Sequence, residues 1–180
     1  MASTPTRLMT FEEFERLPWP DSVRYELRHG ELISLPPAKF GHMTIQETLR
    51  QLLNQAAAGA GMVFVEFGFR PKGEREYRVA DVAYATKGHL ARTNPQGYFE
   101  GSPELVIEVL SPSNTAAEIA DKRDLCFETG CREFWTLDIG KRRIDVSTPD
   151  GRTTTYGMGQ EIPLFFGGYI AVGAIFSGSR

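Results

Sequence analysis

The stretch Pro103-Glu104-Leu105-Val106-Ile107-Glu108-Val109-Leu110-Ser111-Pro112-Ser113-Asn114 decides the reading of this chain. Residues 105–110 form a short apolar run stopped by Ser111-Pro112, the pattern of a strand buried on both faces. One carboxylate, Glu108, sits inside it. Burying an unpaired carboxylate is costly, or forces it to hold a proton. A divalent cation is a leading reason for a sequence to tolerate such a position. Next comes a polar segment carrying Asp121-Lys122-Arg123-Asp124. Its spacing predicts a helix over about 115–129, closed by Gly130.

Working outward, residues 131–138 read as a strand, and Gly140 turns the chain into another over 143–147. On the other side, 62–69 and 77–85 read as strands joined by a charged loop with Pro71 and Gly73. A longer helix precedes them over about 41–58, with Met43, Ile45, Leu49, Leu52, Leu53 and Ala56 on one stripe. Earlier still, alternating segments 23–27 and 31–35 flank Arg28-His29-Gly30, which predicts a hairpin. Thr10 and Glu13 suit the capping box of a short helix that ends at Pro18 and Pro20. Residues 86–102 read as an irregular loop, and the tail as a further hairpin and a final strand. This order predicts an α/β (α+β) fold around one mixed sheet, in a single domain over residues 1–180.

No apolar run approaches the ~20 residues of a membrane span. Residues 1–7 lack the apolar core of a signal peptide, so a cytoplasmic location is expected. Cys126 and Cys131 are too few for a zinc site and read as small core residues. Histidines His29, His42 and His89 are scattered. The net charge of -3 argues against tight unspecific nucleic-acid binding. Local basic clusters do occur, at Arg70, Lys72, Arg75 and Arg78 and again at Lys141 to Arg143; either reads most simply as a solvated loop. Phosphate-binding glycine loops, metalloprotease helices and hydrolase nucleophile elbows are all missing.

The chemistry-bearing residues are few. Strict alternation places Asp81 on the face of Val79 and Ala83, and Glu108 on the face of Val106 and Leu110. If the two carboxylates converge, a shared proton, a basic partner or a cation such as magnesium relieves their repulsion. The other reading leaves one or both in solvent. Lys122 falls at the edge of the apolar stripe of its helix, three residues after Ile119 and four before Cys126. It either reaches toward the strand face that carries Glu108 or pairs on the surface with Glu118. Glu26 and Glu31 read as solvated hairpin charges or as an added ligand, His42 as a phosphate contact or an ordinary first-turn residue, and Glu47 as a weaker metal-site candidate.

Together these segments resemble a known family. Its landmarks are Tyr25-Glu26-Leu27 with Gly30-Glu31-Leu32, His42 opening a helix, Asp81 in a strand, and Glu108-Val109-Leu110-Ser111-Pro112-Ser113. Lys122, Gly130, Glu133-Phe134-Trp135 and Asp138 complete the series. Over about residues 9–176 the chain resembles the Uma-type family of restriction-endonuclease-like proteins, a domain of unknown function assigned to the PD-(D/E)XK nuclease superfamily. That resemblance implies a restriction-endonuclease-like mixed sheet flanked by helices, here with an added N-terminal hairpin. It also implies a Mg²⁺-dependent phosphodiesterase centre, with Mn²⁺ as a substitute.

Carried over by position, Asp81 and Glu108 become the acidic pair and metal ligands. Leu110 stands where the signature lysine is usual, and Lys122 on the next helix takes that role. Glu26 matches an acid that completes the catalytic set. Ala80 replaces the usual proline, which shapes backbone and ligates nothing. The implied function is an endonuclease acting on nucleic acid, DNA foremost. The alternatives are a catalytically silent nucleic-acid-binding or regulatory module and a structural protein with satisfied core acids. A homodimer is expected, since hairpin and tail strands need cover.

Overall fold

Leu105–Val109 is the middle strand of a seven-stranded sheet, and all five of its residues are buried. The computed structural model describes residues 7–18, 20 and 23–177. The expectation for residues 1–6 at the N-terminus therefore lies outside the described residues. In chain order the elements begin with α1 (Phe11–Glu15), β1 (Arg24–Arg28), β2 (Glu31–Leu35), α2 (Phe40–Ala57), β3 (Gly61–Arg70) and β4 (Arg78–Thr86). The middle of the chain supplies α3 (Lys87–Leu90), β5 (Phe99–Glu100), β6 (Leu105–Val109), α4 (Ala116–Glu128) and β7 (Glu133–Asp138). The last are β8 (Arg143–Ser147), β9 (Thr153–Tyr156), β10 (Glu161–Pro163), β11 (Tyr169–Ala171) and α5 (Val172–Phe176).

The sheet runs β5-β3-β4-β6-β7-β8-β9. It is mixed: β3 with β5 and β6 with β7 are parallel, and the other neighbours are antiparallel. The crossover between parallel β6 and β7 is α4, as parallel neighbours require. Apolar layers cover both faces of β6. Leu105, Ile107 and Val109 pack with Ile45, Leu49 and Leu53 of α2 and with Val172, Ile175 and Phe176 of α5. Val106 packs on the other side with Cys126 of α4, Cys131 and Phe134. Both cysteines are buried and free, as their sequence setting suggested.

Helix α4 starts at a capping box: the Thr115 side chain accepts from the N–H of Glu118, whose carboxylate answers the N–H of Thr115. That satisfies two of the free donors at the helix start. The N-terminal hairpin turns at His29 and Gly30, with φ of 50° and 84°, the left-handed pair that matches strand twist in a two-residue turn. A β-bridge between Leu27 and Tyr77 ties the hairpin to the strand entering the main sheet.

Two expectations need correction. Residues 86–102 contain a one-turn helix, α3, and the two-residue strand β5, because Thr86 caps the turn by accepting from the N–H of His89. The tail ends in a helix rather than a final strand. Its hairpin is β10–β11, after which Val172, Ile175 and Phe176 bury one side of α5 against α2. Three apolar residues at i, i+3 and i+4 suit one helical face better than strand alternation. No helix among the described residues is long and apolar enough to cross a membrane.

Loss of the α4 cap should be felt throughout its packing. Thr115→Ala is expected to destabilise the fold by about 1 kcal/mol in urea unfolding, with an unchanged m-value.

Candidate metal and catalytic centre

The β4–β6 ladder pairs Val82 with Ile107, Ala83 with Val106 and Tyr84 with Leu105, and then stops. One step further, the same register sets Asp81 across from Glu108. Past that point the inner edge of β4 has no strand beside it, so side chains take its backbone groups. The N–H of Val79 donates to Glu26 Oε1 at 2.9 Å, and the Val79 carbonyl accepts from Lys122 Nζ at 2.6 Å.

Lys122 is buried, although it lies on a polar helix. Its ammonium sits 2.8 Å from Glu108 Oε1 and 3.2 Å from Glu26 Oε1. Arg28 Nε donates to the other Glu26 oxygen at 2.6 Å and reaches Glu118 with a terminal nitrogen at 2.8 Å. This decides between the two sequence readings of Lys122. Glu118 is occupied by its cap and by Arg28, and the lysine goes inward. Glu26 is likewise not a solvated hairpin charge: it is 1% exposed, because the hairpin folds it onto the open edge of β4.

These contacts set the protonation states. Burial alone would raise the Glu26 carboxyl, but the charges of Lys122 and Arg28 and the Val79 hydrogen bond hold it down at about 2. Burial would lower the Lys122 ammonium, and Glu108 and Glu26 more than offset this, so it stays protonated. Glu108 goes the other way. Burial pushes it up to about 8, opposed by Lys122 and reinforced by the charge of Asp81. Its contact with Lys122 is an ion pair without hydrogen-bond alignment, which leaves Oε1 a buried oxygen with no directed donor.

Asp81 belongs to a second group. Its Oδ2 accepts from the N–H of Val109 at 2.7 Å, and its Oδ1 lies 3.0 Å from His42 Nε2 and 3.2 Å from Gln46 Nε2. The Gln46 amide also donates to Glu66, which is paired with Arg24 on its other oxygen. One donor atom each from His42, Glu66 and Asp81 fall within 4.8 Å of one another, the spacing of ligands around a single cation. Glu108 stands beside this set, held by Lys122.

A break in strand alternation brings Glu66 and Asp81 together. Val82 and Tyr84 face one core layer and Ala83 and Ala85 the other, yet Ala80 shares the layer of Ala83. On β3, the rings of Phe64 and Phe67 stack at 4.7 Å although three residues separate them. Between these rings Glu66 has φ 52°, and the Glu66–Asp81 pair is missing from the ladder. Both strands therefore flip faces at the same point. The expected placement of Asp81 on the face of Ala83 fails for this reason. A non-glycine residue in the left-handed region costs on the order of 1 kcal/mol, and here it aims a carboxylate at the cluster.

Glu31 is exposed and Glu47 pairs with Arg50 and Gln51, so neither joins the site. Sequence reading passed over Glu66 and Gln46. Both had a signal. Strands 62–69 and 77–85 mirror about the loop, which sets Glu66 opposite Asp81, and Gln46 follows His42 by one helical turn. The basic clusters are largely neutralised. Arg78 is buried between Glu76 and Asp121, Arg70 faces Glu100, and Lys72 pairs with Glu128.

Removing the ammonium should strand the buried, ionised Glu26 and leave Glu108 protonated. Lys122→Met is expected to lose roughly 3–5 kcal/mol at pH 7 in urea unfolding. Glu26 gives the acid limb. Its folded value of about 2 lies below the ordinary 4.5, so its stabilisation is complete above pH 4.5 and fades as pH falls toward 2. Glu26→Gln should flatten that limb in a pH series of melting temperatures.

The comparisons with known proteins agree with this architecture. A crystal structure described as "a putative nuclease belonging to DUF820 from Anabaena variabilis" superposes with a TM-score of 0.81 at 20% identity, covering 96% of this chain and 99% of that one. At that identity the likeness speaks for the fold. No curated protein matches the sequence. The family model described as "Putative restriction endonuclease" matches residues 11–168, and the chain therefore belongs to that family, Uma2.

Proposed function

We propose that the protein is a metal-dependent endonuclease that hydrolyses nucleic-acid phosphodiesters, DNA foremost, with Asp81, Glu108, Lys122 and Glu26 as its catalytic set. The observation that carries this reading is the buried Lys122 ammonium, 2.8 Å from Glu108 and electrostatically coupled to Asp81. It supports the relocation of the signature lysine from position 110 to α4.

The residues fit a divalent cation. An imidazole nitrogen and two carboxylates converge at His42, Glu66 and Asp81, and burial, with the charge of Asp81, pushes Glu108 nearby up to about 8. A cation would favour its ionised form. Asp81 and Glu108 thus stay the proposed acidic pair, with His42 and Glu66 added. When bound, the ion supplies Lewis acidity toward a phosphodiester oxygen and a water molecule.

The chain's own groups supply the rest. Lys122 is protonated and cannot act as a base. Its ammonium is in contact with the Val79 carbonyl, Glu26 and Glu108, so contact with a phosphate requires one of these to exchange. Glu108 is the group to release it, because its ion pair is the poorly aligned one. The freed carboxylate would then be placed to accept a proton from an attacking water. Glu26, ionised and held by two further donors, keeps the ammonium aimed.

A chain of net charge -3 with paired basic clusters needs help to meet a polyanion. A homodimer that assembles the groove is the matching proposal, checked by light scattering of the purified protein.

The test is cleavage of DNA and RNA, single- and double-stranded, with Mg²⁺ or Mn²⁺. Asp81→Ala and Lys122→Ala are expected to lose at least ~100-fold in rate. Wild-type protein that cuts no faster than Asp81→Ala overturns the reading. The imidazole favours Mn²⁺ over Mg²⁺ as the tighter ion. A cation would favour ionised Glu108, whose value is raised to about 8, so Mn²⁺ affinity should climb with pH up to about 8 and then level off in titration calorimetry.

A further inference from the structure

Gln46 has no part in the reading so far, yet it lies at the centre of the acidic cluster. It is 3% exposed and projects from α2 one turn after His42. Its amide nitrogen meets Asp81 Oδ1 at 3.2 Å, the Asp81 carbonyl at 3.4 Å and a Glu66 oxygen closer still. With no cation, two carboxylates that can only accept will orient the amide with its NH₂ toward them.

These spacings are those of ligands sharing one ion. Neighbouring ligands in an octahedron of ~2.1 Å bonds lie ~3.0 Å apart. His42 Nε2 and Asp81 Oδ1 are 3.0 Å apart, and the Gln46 nitrogen stands 3.2 Å from the same Asp81 oxygen. The amide nitrogen therefore stands from Asp81 Oδ1 at a spacing that a second ligand of one ion would also have. A half-turn of the terminal amide exchanges nitrogen for oxygen at nearly the same place, without moving the helix. The torsion itself opposes it little, being broad and roughly two-fold, and the cation would have to offset the hydrogen bonds given up to Asp81 and Glu66.

Resting on the metal reading above, we propose that Gln46 is a ligand of the cation: its amide turns over on binding, so that Oε1 replaces Nε2 beside Asp81 and Glu66. With Glu108 beside it, the set becomes one imidazole, three carboxylates and one amide oxygen. The turnover also explains why a buried polar side chain bridges two acids with a neutral group. The amide satisfies them while the site is empty and stays as a ligand when it fills.

The test is Mn²⁺ binding to the purified full chain, followed by the paramagnetic resonance signal of the free ion. Wild type, Gln46→Leu, Gln46→Glu and Asp81→Ala are compared. Gln46→Leu should weaken binding by ~10-fold or more, in the range seen when groups supporting a metal site are removed. Gln46→Glu should bind at least as tightly as wild type, since it keeps an oxygen there and adds charge. If Gln46→Leu binds Mn²⁺ as well as wild type, the amide only fills space and the inference is overturned while the metal reading stands. If Gln46→Leu does not fold, Gln46→Glu decides alone, and weakened binding there overturns the inference. Wild-type protein that binds no better than Asp81→Ala overturns both.

Discussion

The arrangement of the centre depends on one buried ammonium. Lys122 links α4 to β1 through Glu26, to β6 through Glu108 and to β4 through the Val79 carbonyl. In the core such charges cannot be left alone. An unpaired buried carboxylate or ammonium costs several kcal/mol, so each group fixes the position of the others. The hairpin is held in place for the same reason. Its Glu26 satisfies both the lysine and the free Val79 N–H, and Arg28 extends the pairing to Glu118 at the head of α4.

This constraint does not neutralise the site fully. Glu108 keeps a raised affinity for its proton even beside Lys122, because burial and the charge of Asp81 oppose ionisation. The structure thus holds a carboxylate that gains from additional positive charge, next to a set of His42, Glu66 and Asp81 with the spacing of cation ligands. The two groups meet at the end of the β4–β6 ladder. Asp81 takes the N–H of Val109, the residue following Glu108.

Much of this was legible in the chain. Residues 105–110 and the breaker after them fixed a central buried strand, since an apolar run of that length is stable only when covered on both faces. Gly130 marked the end of the lysine helix, while the Thr115–Glu118 capping box at its start was found only in the structure. Helical angle alone put Lys122 at the edge of the buried stripe, and left two partners open. The tail misled because short apolar segments between glycines suit strand and helical turn alike.

What the sequence by itself determined is local and periodic: which core segments are helix or strand, which strand is central, and that Asp81, Glu108 and Lys122 are the charged residues to follow into the structure. Those follow from hydrophobic spacing, caps and the rarity of charge in a core strand. Tertiary structure alone decided that Glu26 is buried and that Lys122 chooses Glu108 over Glu118. It also decided that Asp81 turns toward His42, Gln46 and Glu66. The reason is physical. A side chain's partner is set by where neighbouring backbone lacks a hydrogen-bond mate and where strand alternation breaks. The end of the β4–β6 ladder and the left-handed Glu66 are properties of assembled strands, which no single segment encodes.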